Sequence, residues 1–154
     1  MPTTQDITSA LGALLTAVSR AIERQSFSGV AIDSRQVRPG DLFVALVGEH
    51  HDGHEFIADA ISRGAIGVIS QRQPPDLPQE VSFFQVGDTL AAFQRLAAYW
   101  RGKHRVKVVG ITGSVGKTTC KELTAAVLSS GYQVLKSEAN LNTEIGLPLT
   151  LLQL

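Results

Sequence analysis

Gly113, Ser114, Val115, Gly116, Lys117, Thr118 and Thr119 follow directly on the apolar run Val106-Lys107-Val108-Val109-Gly110-Ile111. That order suits a bound phosphate. The β-branched run predicts a strand that aims the turn, and the glycines let backbone N–H groups approach phosphate oxygens. Lys117 supplies a positive charge and Thr118 a hydroxyl for Mg²⁺. The residues after Lys117 read as a helix, whose N-terminal dipole and unpaired N–H groups favour an anion. The common phosphate-loop pattern has a glycine where Ile111 stands; Gly110 and Gly113 flank that position instead. The expectation is a loop for a nucleoside triphosphate. Cys120, just past the threonines, reads as a small helix residue rather than a catalytic thiol.

Two other clusters carry polar side chains at suggestive spacing. His50, His51, Asp52 and His54 invite a metal reading. Adjacent His50 and His51 do not easily converge on one ion, and no distant ligand accompanies them. A polar substrate loop is the better account. Asn140 and Asn142 alternate, which puts both on one side of an extended segment.

These residues need elements to position them. Ile7, Leu11, Leu14, Leu15, Val18 and Ile22 recur at helical spacing and predict an amphipathic first helix, capped by Asp6 or Thr8. Strands are expected near residues 29–32, 42–47, 65–70, 81–86, 106–111 and 133–136. Helices are expected at about 54–63, closed by Gly64, and from an Asp88 cap to about Lys103, with Leu90, Phe93, Leu96, Ala97 and Trp100 as its apolar stripe. Leu123, Ala126 and Val127 are expected to be the buried face of the helix after the phosphate loop. Alternating strands and helices predict an α/β architecture with mainly parallel sheets. A boundary near Gly87 divides a small α/β module, residues 1–86, from the start of a phosphate-loop (P-loop) domain, residues 87–154. That second domain reads as truncated, since few elements follow Gly87 to complete its sheet.

The 154 residues suffice for one ordinary domain or two small ones, and 44% apolar composition argues against disorder. Lys plus Arg equals Asp plus Glu at 14 each, so no basic surplus points to nucleic acid. No apolar run is long enough to span a membrane. Residues 10–18 lack the positive flank of a signal peptide. A single cysteine rules out an internal disulfide and fits the cytoplasm.

Three segments together carry a resemblance. The loop 112–119 resembles the shortened ATP loop of the Mur ligases, the cytoplasmic enzymes of peptidoglycan precursor synthesis. Asp33-Ser34-Arg35, followed by Pro39-Gly40-Asp41-Leu42-Phe43-Val44-Ala45-Leu46, Gly48 and Asp52-Gly53-His54, is similar to the family's UDP-binding N-terminal domain. Residues 140–152 are most like the member that joins D-alanyl-D-alanine to UDP-N-acetylmuramoyl-tripeptide. Val115 stands where the family usually has a small polar residue, and Thr143 replaces the second of two adjacent asparagines.

The resemblance implies an ATP-dependent amide ligase that activates a carboxylate as an acyl phosphate and lets an amine attack it. It implies that Lys117 offsets γ-phosphoryl charge and that Thr118 and Glu144 serve Mg²⁺. It implies uridine-diphosphate contacts from Ser34, Arg35, Gly48, Glu49, His50, His51 and Asp52, and a substrate or metal-shell role for Asn140 and Asn142. The implied partners are UDP-N-acetylmuramoyl-peptide and D-alanyl-D-alanine, bound by a monomer with no nucleic acid or membrane. The sibling that adds the third peptide residue is one alternative. A non-catalytic UDP-sugar-binding fragment is another, and a phosphate-loop ATPase or kinase of a different class is a third. An N-terminal portion standing alone is expected not to ligate.

Overall fold

A computed structural model describes residues 1–19, 25–48, 51–138 and 143–154. Helix α1 spans Thr4–Leu11. Its cap is Thr3, one turn earlier than the sequence suggests: the Thr3 hydroxyl accepts the Asp6 N–H, and the Asp6 carboxylate accepts the Thr3 N–H at 2.9 Å. Asp6 therefore closes a capping box instead of being the cap. Gly12, with φ 43°, ends the helix, because only glycine enters that backbone region without steric cost. After a single 3₁₀ turn, the expected helix gives way to strand β1, Leu15–Ser19. Helical periodicity through Leu14, Leu15 and Val18 thus misleads.

The remaining strands are β2 Val30–Ala31, β3 Leu42–Val44, β4 Gly67–Ser70 and β5 Ser82–Val86. They form one sheet in the order β1-β5-β4-β3-β2. β2 to β5 run parallel, and β1 joins β5 antiparallel, with Leu15 opposite Val86. The expected mixed α/β architecture with mainly parallel pairing is the one observed. β3 is shorter than its apolar run predicts; Val47 is 57% exposed.

The two-residue period of the strands sorts the core. Leu42, Val44, Ile69, Phe84 and Val86 face one side, where they meet Ile7 and Leu11 of α1 and also Phe93, Leu96 and Trp100. Phe43, Val68 and Phe83 face the other side, where they meet Ile57 and Ala60. Helix α2 spans Ile57–Ser62, preceded by a 3₁₀ turn at Gly53–Phe56. Helix α3 spans Thr89–Lys103, and Asp88 accepts the Ala91 N–H as its cap, in keeping with the sequence. Its apolar stripe packs into the same core as α1 and the strands. Lys103 pairs with Asp6 and links α3 to the cap of α1.

Helix α4, Lys117–Ser129, and helix α5, Gly146–Leu151, complete the described elements. α5 packs on α3; Leu152 joins the core, and the Trp100 indole donates to the Leu154 carbonyl at 3.2 Å. Residues 106–111 and 133–136, expected as strands, belong to no sheet among the described residues. A parallel strand needs hydrogen-bonding neighbours and covered faces. Here Val108 and Val109 are more than half exposed. The face of α4 is also different. Leu123 and Val127 are 62% and 72% exposed, and only Ala125 is buried. Among the described residues no helix is long and apolar enough to cross a membrane.

Candidate functional site

The glycine loop sits where the backbone must turn sharply. Gly113 and Gly116 have φ 154° and 81°, and Gly116 is the N-cap of α4. A side chain at Gly116 would meet no neighbour, so its requirement for glycine is conformational. Lys117 opens the helix and folds back: its ammonium donates to the Gly113 carbonyl and, at 3.4 Å, to that of Ser114. The positive charge therefore lies along the loop that precedes the helix. Residues 112–120 are all exposed, and the Thr118 and Thr119 hydroxyls have no protein partner among the described residues. Positive-φ glycines, a helix N-terminus, a folded-back lysine and free hydroxyls fit a phosphate chain with its divalent cation. The expected helix after Lys117 is present; the expected strand before the loop is not.

Two further polar segments follow the carboxyl ends of parallel strands, where α/β sheets bind ligands. After β2, Asp33 caps a 3₁₀ turn, Ser34–Gln36, and holds Arg35 through two bonds of 2.9 and 2.8 Å. The Arg35 guanidinium holds the Asp33 carboxyl below its ordinary range. Arg35 itself stays solvent-facing, with its side chain 80% exposed. Ser34 is buried, and its hydroxyl bonds to Asp59 of α2, lowering the pKa of that carboxyl.

After β3, Val47 bridges Asp52, the Gly48 N–H donates to the His51 carbonyl at 2.9 Å, and the Gly53 N–H donates to the Leu46 carbonyl at 2.8 Å. A Cβ at Gly53 would stand 2.5 Å from the Leu46 oxygen, so this close backbone approach requires glycine. Asp52 accepts the His54 N–H at 2.9 Å, the His54 Nδ1 and, at 2.9 Å, the Arg72 guanidinium. The His54 backbone N–H, then its ring and the Arg72 charge, hold the Asp52 carboxyl below the ordinary value. Gln71, at the end of β4, donates its N–H to His54 Nε2 at 3.0 Å.

Ser34 and Arg35 lie in the turn after β2, and Gly48, His51 and Asp52 in the segment after β3; among the described residues no hydrogen bond or ion pair joins the two sets. Glu49, His50, Asn140 and Asn142 lie outside the described residues. Glu144 is exposed, and its carbonyl accepts from Gln94 of α3 at 3.1 Å. Among the described residues no hydrogen bond or ion pair joins Glu144 to the 113–119 loop, nor that loop to the sheet-end group. His54 is committed to Asp52 and Gln71, and no described cluster of His, Cys, Asp or Glu is arranged for a metal. Sequence reasoning missed Asp59, Gln71 and Arg72. The signal for the last two was their position just after a buried parallel strand.

A parallel sheet with polar loops at its carboxyl end, followed by a glycine-capped helix bearing lysine, defines a nucleotide-handling α/β protein. Comparison narrows this class. Residues 26–101 match the model of the Mur ligase family, catalytic domain, and residues 111–154 match the Mur ligase middle domain. The chain belongs to the Mur ligase family. It is 47% identical over 97% of its length to a UDP-N-acetylmuramoyl-tripeptide–D-alanyl-D-alanine ligase of Synechocystis, of which it spans 33%. The crystal structure of MurF from Acinetobacter baumannii superposes with a TM-score of 0.87 at 34% identity, covering 99% of this chain and 32% of that one. MurF from Thermotoga maritima, solved in complex with ADP, gives a TM-score of 0.71 at 39% identity over 80% of this chain and 28% of that one. The chain thus spans about a third of the length of these relatives.

Proposed function

We propose that the chain carries the substrate-binding module and the ATP loop of a ligase joining D-alanyl-D-alanine to UDP-N-acetylmuramoyl-tripeptide. The observation that carries this reading is the presence of two separate nucleotide-suited places in one chain. One is the Gly116-capped, Lys117-bearing start of α4; the other is the polar carboxyl end of the five-stranded sheet. Residues 1–86 bind the uridine nucleotide in this reading, and residues 87–154 begin the ATP-binding domain, with α3 as the packed junction. Similarity to a relative solved with ADP supports the nucleotide assignment.

Each residue then has a task. Backbone N–H groups of residues 113–119 wrap the β- and γ-phosphates, and Lys117 offsets the charge that develops in phosphoryl transfer. Thr118 and Glu144 offer the hard oxygen ligands that Mg²⁺ prefers, and the cation would neutralise phosphate charge when bound. Arg35 has a guanidinium geometry suited to a diphosphate and would exchange Asp33 for it. Ser34, Gly48, Glu49, His50, His51 and Asp52 shape the uridine end; Asn140 and Asn142 serve the substrate or the metal shell. The activity belongs to the cytoplasm, with a monomer acting on small molecules. The sibling reaction that adds the third peptide residue is set aside because the relatives of high identity carry the D-alanyl-D-alanine name.

The described residues contain no second sheet. The 154 residues alone are therefore expected to bind the UDP-peptide without forming the amide bond. Calorimetric titration with UDP-N-acetylmuramoyl-tripeptide, beside an assay of amide formation with D-alanyl-D-alanine and ATP, tests both parts. Absence of binding heat would remove the substrate assignment, and turnover at enzyme-like rates would overturn the expectation of binding alone.

A further inference from the structure

We propose that His54 is a positioning residue for the uridine-substrate loop, acting as a neutral ring protonated on Nδ1 and wedged between Asp52 and the end of β4. Its side chain is only 3% exposed. Nε2 accepts the Gln71 N–H at 3.0 Å. A ring nitrogen that accepts an N–H carries no proton, so the single proton of the neutral ring lies on Nδ1 and is donated to Asp52 Oδ1. Asp52 Oδ1 also accepts the His54 backbone N–H, and Oδ2 accepts from Arg72. Among the described residues, this ring and the Arg72–Asp52 pair are the side-chain bonds that tie residues 51–54 to the end of β4.

The tie continues across the sheet. Gln85 Nε2 donates to the Gln71 carbonyl at 3.1 Å, and Gln71 Nε2 donates to the Gly87 carbonyl at 3.2 Å. Gly48, His51 and Asp52 are thereby held in fixed register with the ends of β4 and β5. The charged groups facing the ring are Asp52 from its own loop and Arg72 from the β4 end. Protonating the ring turns Nε2 into a donor opposite the Gln71 N–H, which then loses its acceptor. Acidification therefore removes one of the two ties to β4 and leaves the bonds of Asp52 to the ring and to Arg72 in place.

The inference rests on reading Gly48, His51 and Asp52 as part of the uridine-substrate site. Its test is titration of UDP-N-acetylmuramoyl-tripeptide into the 154-residue chain, His54→Phe and His54→Gln, at neutral pH and at stepwise lower pH. ¹⁵N NMR of the imidazole in the unsubstituted chain runs in parallel. His54→Phe should weaken binding about tenfold, the scale of one unsatisfied, partly buried N–H. His54→Gln restores an acceptor at the ε position and should recover most of the affinity, with a flattened pH dependence. In the unsubstituted chain the affinity should fall together with ring protonation, a readout that stands even if His54→Phe fails to fold. An Nε2-protonated ring at neutral pH, or a pH profile shared by His54→Gln, would overturn the inference. Normal binding by a folded His54→Phe would overturn it too while sparing the substrate reading. Absence of binding by the unsubstituted chain would defeat both.

Discussion

Lys117 and Arg35 stand in the same predicament: each holds a positive charge that a nucleotide could use, and each is bound to the protein instead. The Lys117 ammonium rests on the Gly113 and Ser114 carbonyls, and the Arg35 guanidinium on Asp33. These exposed contacts are weak in water, so a phosphate chain can displace them. Replacing Lys117 by Ala removes the charge but leaves the Gly116 cap and the first turn of α4 untouched. ATP affinity should fall at least about tenfold, since a charge-assisted contact to phosphate is worth about 1.5–3 kcal/mol. Binding of the UDP-peptide should not change, because no described bond joins the two groups. Paired titrations of Lys117→Ala with ATP and with the UDP-peptide check this, and loss of both affinities would contradict the separation of the sites. The glycine loop was legible from the sequence because its chemistry is local: Gly113, Gly116 and Lys117 lie within one turn. The partners of Ser34 and His54 were not, since Asp59 and Gln71 reach them only through the fold.

Among the elements, α1 and β4 each depend on one position. The Asp6 carboxyl is pushed up by burial, but hydrogen bonds from Lys103 and Thr3 prevail and hold it below the ordinary value. A carboxyl with a depressed folded pKa contributes stability that is complete above the unfolded value. That stability is lost as the pH falls through the folded pKa, below about 4. Asp6→Asn should therefore cost about 1 kcal/mol at neutral pH, the usual worth of a helix cap. The gap to the parent should narrow as the pH drops below about 4, which thermal unfolding across that window measures; a constant gap would remove the carboxylate charge from the account. In β4, a Cβ at Gly67 would stand 2.4 Å from Phe27 Cε1 and 3.0 Å from Leu42 Cδ1. Phe27 and Leu42 are fully packed, so Gly67→Ala should destabilise by about 1–3 kcal/mol in urea unfolding. The elements the sequence revealed are those with a local signature, such as α3 with its Asp88 cap and stripe through Phe93 and Trp100. β1 was hidden because its partner, β5, lies far along the chain and its residues also satisfy a helical period. Gly12 was the local clue, being a common residue at helix ends.

At the scale of the molecule, packing is uneven. β3, β4 and β5 bury both faces, under α1 and α3 on one side and α2 on the other, while β1 is largely exposed. Between residues 104 and 138 only Ala125 is buried, and Val108, Leu123, Val127 and Tyr132 are each more than 60% exposed. The groove between residues 105–111, α4 and residues 132–137 encloses about 630 Å³, so these segments border a space that their side chains do not fill. Local stability follows buried contacts and paired backbone. Amides of residues 106–111 and 133–137 should therefore exchange with solvent close to the rate of unprotected chain. Those of β3, β4, β5 and α3 should exchange only through global unfolding. Helix α4 should lie between them, protected by its own hydrogen bonds but lacking a packed face. Hydrogen exchange followed by mass spectrometry resolves the three classes. Adding ATP with Mg²⁺ should slow exchange at residues 113–120 and next to Glu144 but not in the sheet, since the loop touches no residue of the sheet through a described bond. Protection spreading to β3 and β4 on ATP addition would mean that the loop and the sheet form a single cooperative unit.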